Sequence, residues 1–145
     1  GNVAITEHIN MQHDGAKLQG SFSRFDYQRT QRASGSSIRS VLNLIPLSAT
    51  EIYYRDEIGN ISTSDITVAK DKLAVELTPR FPLFGGWKTE FIFGYDLPLS
   101  DFVFTDASDS SKLVLNTTFG KEIALDVVID ELTIRVILPE GSNYV

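Results

Sequence analysis

Residues 3–11 read VAITEHINM, and the period of two in that run decides the fold class. Val3, Ile5, Ile9 and Met11 share the odd positions with Glu7, while Ala4, Thr6, His8 and Asn10 take the even ones. Successive side chains of a strand point to opposite faces, so the run carries one apolar and one wet face, with Glu7 the exception. The alternation returns in Leu73, Val75 and Leu77 against Ala74, Glu76 and Thr78, and in Phe91, Phe93 and Tyr95, a face rich in the aromatics that strands favour. Leu113 and Leu115 repeat it beside Val114 and Asn116, and Leu132, Ile134, Val136 and Leu138 repeat it against Thr133, Arg135 and Ile137.

Turn residues separate these runs: Asp14-Gly15, Lys70-Asp71-Lys72, Gly85-Gly86, Phe119-Gly120-Lys121 and Pro139-Glu140-Gly141. Strands at intervals of about ten residues, with no amphipathic helix between them, predict an all-β fold, an antiparallel β-sandwich. Leu73, Val75, Leu77, Leu132, Ile134 and Val136 are expected to face inward. Residues 100–111 leave room for a short helical turn.

The chain has 145 residues, one domain's length, with 42% hydrophobic and 22% charged residues, ordinary values for a soluble globular protein. A net charge of -6 argues against binding nucleic acid or an anionic membrane, both of which need clustered Lys and Arg. The absence of cysteine removes thiolate metal sites and cysteine nucleophiles, and taken alone leans toward a reducing compartment. No run reaches the roughly 18 apolar residues of a membrane span. The start at Gly1 and the end at Tyr144-Val145 are read as those of a single soluble domain, 1–145, excised from a longer protein.

Residues 52–64, IYYRDEIGNISTS, set Asp56 and Glu57 beside Arg55 and two tyrosines, but adjacent carboxylates on a strand diverge. Gly59 and Asn60 tolerate positive φ, so the stretch predicts a hairpin tip, with Asn60-Ile61-Ser62 as an acceptor for an N-linked sugar. Asn116-Thr117-Thr118 is a second acceptor tripeptide. His8 and His13 fall on opposite faces of a strand and cannot share a metal ion. Asp101, Asp106 and Asp109 lack the spacing of a calcium loop, Ser34-Gly35-Ser36-Ser37 is no nucleophile elbow, and Gly85-Gly86 is no phosphate fingerprint. No catalytic residue, metal site or cofactor is expected.

Two stretches stand out. Residues 80–88, RFPLFGGWK, combine Pro82 and two glycines with four bulky apolar side chains. They plug the end of the sandwich, or they form a contact surface through Arg80, Phe84 and Trp87. Residues 21–31, with Arg24, Asp26, Tyr27 and Arg29, read as a bend pinned by ion pairs or as an interface.

The stretches SRFDYQR (23–29), SSIRS (36–40), YYRDEIGNISTS (53–64), RFPLFGGWKT (80–89) and LTIRVILPEGS (132–142) resemble the ribophorin I family. They run in family order over nearly the whole chain. The resemblance implies a noncatalytic subunit of the eukaryotic oligosaccharyltransferase, the complex that transfers an oligosaccharide from a dolichyl diphosphate carrier to Asn in Asn-x-Ser/Thr. It implies a parent anchored in the endoplasmic reticulum membrane, with this chain as its second lumenal module, and so overrides the compartment suggested by the missing cysteines. Implied partners are the other oligosaccharyltransferase subunits and nascent glycoprotein substrates, with glycosylation carried over at Asn60. A different class stays open beside it, a carbohydrate-binding sandwich with Trp87 and Phe84 as a stacking platform. Burial of Trp87 would count against that platform.

Overall fold

Phe91, Phe93, Tyr95 and Leu97 stand buried along one face of a single eleven-residue strand, and the rest of the fold is organised around it. The computed structural model describes residues 1–17, 19–29, 37–62, 65–118 and 127–143. In chain order the elements are β1 (Asn2–Gln12), α1 (Arg24–Arg29), β2 (Ser37–Ile38), β3 (Val41–Pro46), β4 (Thr50–Arg55), β5 (Asp65–Ala69) and β6 (Lys72–Leu77). They continue with β7 (Leu83–Phe84), β8 (Lys88–Pro98), α2 (Leu99–Phe102), β9 (Val103–Thr105) and β10 (Leu113–Leu115). The short α2 fills the place where a helical turn was expected, and residues 24–29 form a second.

Among the described residues, β1, β8 and β4 make one antiparallel sheet with β8 central, and β3, β6 and β5 make another with β6 central. The two-stranded pairs β2–β7 and β9–β10 stand beside them. Ile45, Val75 and Leu77 of one sheet share a core with Tyr54, Phe91, Phe93, Tyr95 and Leu97 of the other. This is the expected antiparallel β-sandwich.

The alternation of β1 is real, but its apolar row is only half-buried, because β1 lies at a sheet edge. Val3, Ile5 and Ile9 lean on the core beside Leu97, Tyr95 and Phe91. Burial raises the Tyr95 hydroxyl to a pKa of about 12, with the charge of Glu7 adding to it. Gly94 answers to a close approach: a Cβ there would lie 2.3 Å from Cζ of Tyr53. The Tyr53 ring instead crosses β8 and brings its hydroxyl to 3.1 Å from Thr6 Oγ1. Asn43 sits fully buried opposite Val75 with neither side-chain polar atom bonded among the described residues, an expense to stability rather than a support.

Two expectations need correction. Leu132, Ile134 and Val136 do not face inward: they are half exposed or more, and residues 127–143 form no strand. A period of two makes a segment competent for a strand, but only a ladder partner makes it one, and no described strand pairs with this segment. Nor do β4 and β5 form a hairpin, since β4 pairs with β8 and β5 with β6. The chain instead leaves β4 through a tight loop at 56–60, closed by the Arg55–Asn60 bridge and by the Ile61 amide donating to the Tyr54 carbonyl at 2.8 Å. Gly59 there has φ 141°, whereas Asn60 keeps an ordinary φ. The turn expected at Phe119-Gly120-Lys121 and the serines Ser34 and Ser36 lie outside the described residues.

Candidate functional site

The segment from Pro79 to Lys88 cannot run as a regular strand, because two prolines withhold ladder donors and two glycines loosen the backbone. Leu83 and Phe84 manage a two-residue ladder with Ile38 and Ser37. The segment just after β1, residues 13–17, then acts as a strap over the next three residues. The Gly86 amide donates to the His13 carbonyl at 2.7 Å, and the His13 amide donates to the Trp87 carbonyl at 3.0 Å. Lys17 forms a parallel bridge with Gly85. Gly85 sits so close beneath the strap that a Cβ would lie 2.0 Å from the Ala16 carbonyl oxygen, and Gly86 adopts φ 84°. His13 is thus a structural residue, its Nδ1 accepting from the Gly15 amide at 3.0 Å. His8 projects from the wet face of β1 into solvent.

Five rings gather on this strapped loop. Phe84 packs against Phe22, Tyr27 and Trp87 at centroid distances of 5.4, 5.8 and 5.3 Å. Trp87 also meets Phe22 at 5.6 Å and Phe81 at 5.8 Å, both edge-on. The Arg39 guanidinium stands 5.5 Å from the Tyr27 ring centre, within reach of a cation–π contact. Phe84 is only 5% exposed, so it anchors the loop and offers no surface. Trp87 is half-buried and Phe81 is 40% exposed. Three neighbouring rings pack around the half-buried Trp87, and the sugar-stacking alternative is not favoured.

Arg80 faces the 56–60 loop. Its Nε donates to Asp56 Oδ2 at 2.5 Å and its Nη2 to Asp56 Oδ1 at 3.1 Å, with a further bond to the Gly59 carbonyl at 3.2 Å. Asp56 Oδ1 also accepts from the Ile58 and Gly59 amides. The Arg80 guanidinium, helped by those amides, holds the Asp56 carboxyl below the usual carboxylate range. Burial, with the Asp56 charge adding to it, pushes the Tyr54 hydroxyl up to about 12. Arg55, Asp56 and Glu57 therefore form no acid/base site: Asp56 is spent on the loop and Glu57 is exposed.

Because Asp56 is more acidic folded than unfolded, its stabilisation is present above about pH 4 and is lost as pH falls through the lower folded value. Amide protection at Ile58 and Gly59 is expected to drop on acidification through that window, and Asp56→Asn should give low protection at neutral pH already. Protection in the variant equal to that of the parent at neutral pH would show that the latch does not hold the loop.

The sugar-acceptor residues Asn60 and Asn116 are both exposed, as are Ser62 and Thr118. Asn116 falls just beyond β10, with its amide bonded to the Phe102 carbonyl at 2.8 Å. The sequence reading weighs His13 only as a metal ligand and misses its strap role, and it singles out neither Phe22 nor Phe81 within their stretches. The only available signal was the aromatic richness of two stretches some 50 residues apart, and nothing local joins them. Among the described residues, no group of three or more His, Cys, Asp or Glu is placed to hold a metal ion.

These features define an all-β domain of antiparallel sheets whose most elaborated part is a strapped aromatic loop. The family model for Ribophorin I matches residues 1–145, and the chain belongs to the ribophorin I family. It is 49% identical over 144 residues to "Dolichyl-diphosphooligosaccharide--protein glycosyltransferase subunit 1B" of Oryza sativa subsp. japonica. It is 50% identical to subunit 1A of that enzyme in Arabidopsis thaliana, and 43% identical over 146 residues to subunit 1 in Caenorhabditis elegans. These alignments cover 99%, 99% and 100% of the chain but 30%, 23% and 24% of the relatives, so the chain spans less than a third of their length.

Proposed function

We propose that this chain is a noncatalytic lumenal module of an oligosaccharyltransferase subunit, and that it serves protein N-glycosylation by contacting other proteins of the complex. The observation that carries the reading is the family match along the whole chain, to relatives named as subunits of a glycosyltransferase. The use of Asp56 and Arg80 as a loop latch supports it, since the most promising acid–base cluster is committed to structure. The parent is membrane-anchored in the endoplasmic reticulum and the module faces the lumen. No described helix here is long and apolar enough to cross a membrane.

The contact surface is the exposed rim of the strapped loop, Phe81 and Trp87 beside Arg80, with Phe84 as its buried support. Aromatic and Arg side chains supply most hot-spot energy in interfaces. Its test is co-purification of the parent protein carrying Phe81→Ala and Trp87→Ala with the other subunits, beside a thermal melt of the isolated domain. Weaker association with a retained cooperative melt is expected, and undiminished association would remove this loop as the interface.

Exposure at Asn60 and Asn116 supports glycosylation of both when the parent passes through the endoplasmic reticulum. Peptide mass spectrometry before and after glycosidase treatment reads the occupancy, and a bare Asn60 would refute the first assignment.

A further inference from the structure

Phe22 is a shared wall between two surface grooves. One, of about 570 Å³, is lined by Phe22, Arg24, Tyr27, Arg80, Phe81 and Pro82. The other, of about 490 Å³, includes Lys17, Phe22, Gly85, Gly86 and Trp87 in its lining. The chain as a whole carries a net charge of -6, yet among the described residues the charged side chains lining these grooves are Lys17, Arg24 and Arg80. Arg80 is tied to Asp56 but keeps 35% of its side chain exposed.

We infer that the two grooves together bind one extended acidic peptide segment of a partner protein, with carboxylates over Lys17, Arg24 and Arg80 and an aromatic or proline side chain against Phe22. This rests on the reading of the domain as a protein-contact module and names the chemistry of the partner. Charge sign selects the partner, because Lys17 on one side of the Phe22 ring and Arg24 and Arg80 on the other attract carboxylates and repel basic segments. Edge-on rings with proline and glycine between them suit the irregular relief of a peptide. A sugar or a base would need an open ring face. The two grooves are of the size that holds small ligands, and their continuity past Phe22 gives length rather than depth.

Trp87 is the single tryptophan of the chain and lines one groove while touching Phe81 of the other, so its emission reports occupancy directly. The probe is the peptide acetyl-Asp-Phe-Asp-Pro-Asp-Phe-amide, compared with the same peptide carrying Lys for every Asp and with inorganic pyrophosphate. A saturable change in Trp87 emission is expected with the acidic peptide, weakened by added salt and at least about tenfold weaker with the Lys peptide. Arg24→Glu, at an exposed position of α1, should weaken the acidic peptide by a similar factor. Salt dependence in the unaltered chain covers the case in which that variant is destabilised. No saturable change, equal binding of the Lys peptide, no effect of salt, or pyrophosphate binding as tightly as the peptide would each overturn the inference. Such a failure, with association still lost in the Phe81→Ala, Trp87→Ala parent, removes only the acidic-peptide reading. Failure of the co-purification test itself removes the contact surface.

Discussion

Replacing Phe93 by Ala is expected to cost about 3–5 kcal/mol, the range for deleting a large aromatic from a packed interior. Phe93 has no exposed surface, lies in the central strand of its sheet, and pairs across to Tyr54 on one side and Glu7 on the other. Its ring stands 5.7 Å from that of Tyr95, so truncation leaves a void bordered by both sheets. The void cannot close cheaply, because strands on either side are fixed by their ladders. Denaturant unfolding reads the cost directly. A loss below about 1 kcal/mol would mean that the β8 face is not the core.

The second large effect belongs to the strap. Gly85→Ala would place a methyl group 2.0 Å from the Ala16 carbonyl oxygen and 2.6 Å from that of Gly15. Both are backbone atoms, so no side chain can swing aside, and the strap must lift from the loop. A cost of about 3 kcal/mol is expected, at the upper end for overpacking. Lifting the strap also breaks the paired bonds between His13 and residues 86 and 87, which frees Trp87. The variant should therefore show both a lower melting temperature and a red-shifted Trp87 emission in the folded state. An unchanged melt would place the strap elsewhere.

What could be read from the sequence follows from the range of the forces involved. The alternations in β1, β6 and β8 are local and one-sided, so Val75, Leu77, Phe91, Phe93 and Tyr95 were placed correctly from period alone. Residues 132–138 carry the same period, yet no described strand pairs with them, and no local pattern encodes a ladder partner. The 56–60 turn was legible from Gly59, but its strands enter different sheets, a choice made by partners far along the chain. The candidate site was half legible. Its aromatic and Arg content marked residues 21–31 and 80–88, whereas the burial of Phe84 depends on Phe22, Tyr27 and the strap converging on it. The Arg80–Asp56 latch spans 24 residues and could not have been inferred from the RDE triplet alone.

The most direct measurement is oligosaccharide transfer to an Asn-x-Thr peptide, scored per assembled complex. It would be made for the isolated 145-residue chain and for complexes built with the parent or with its Phe81→Ala, Trp87→Ala form. A contact role predicts no transfer by the isolated chain, and fewer variant complexes that each transfer at the normal rate. Transfer by the isolated chain, or variant complexes that assemble in full yet transfer slowly, would contradict it.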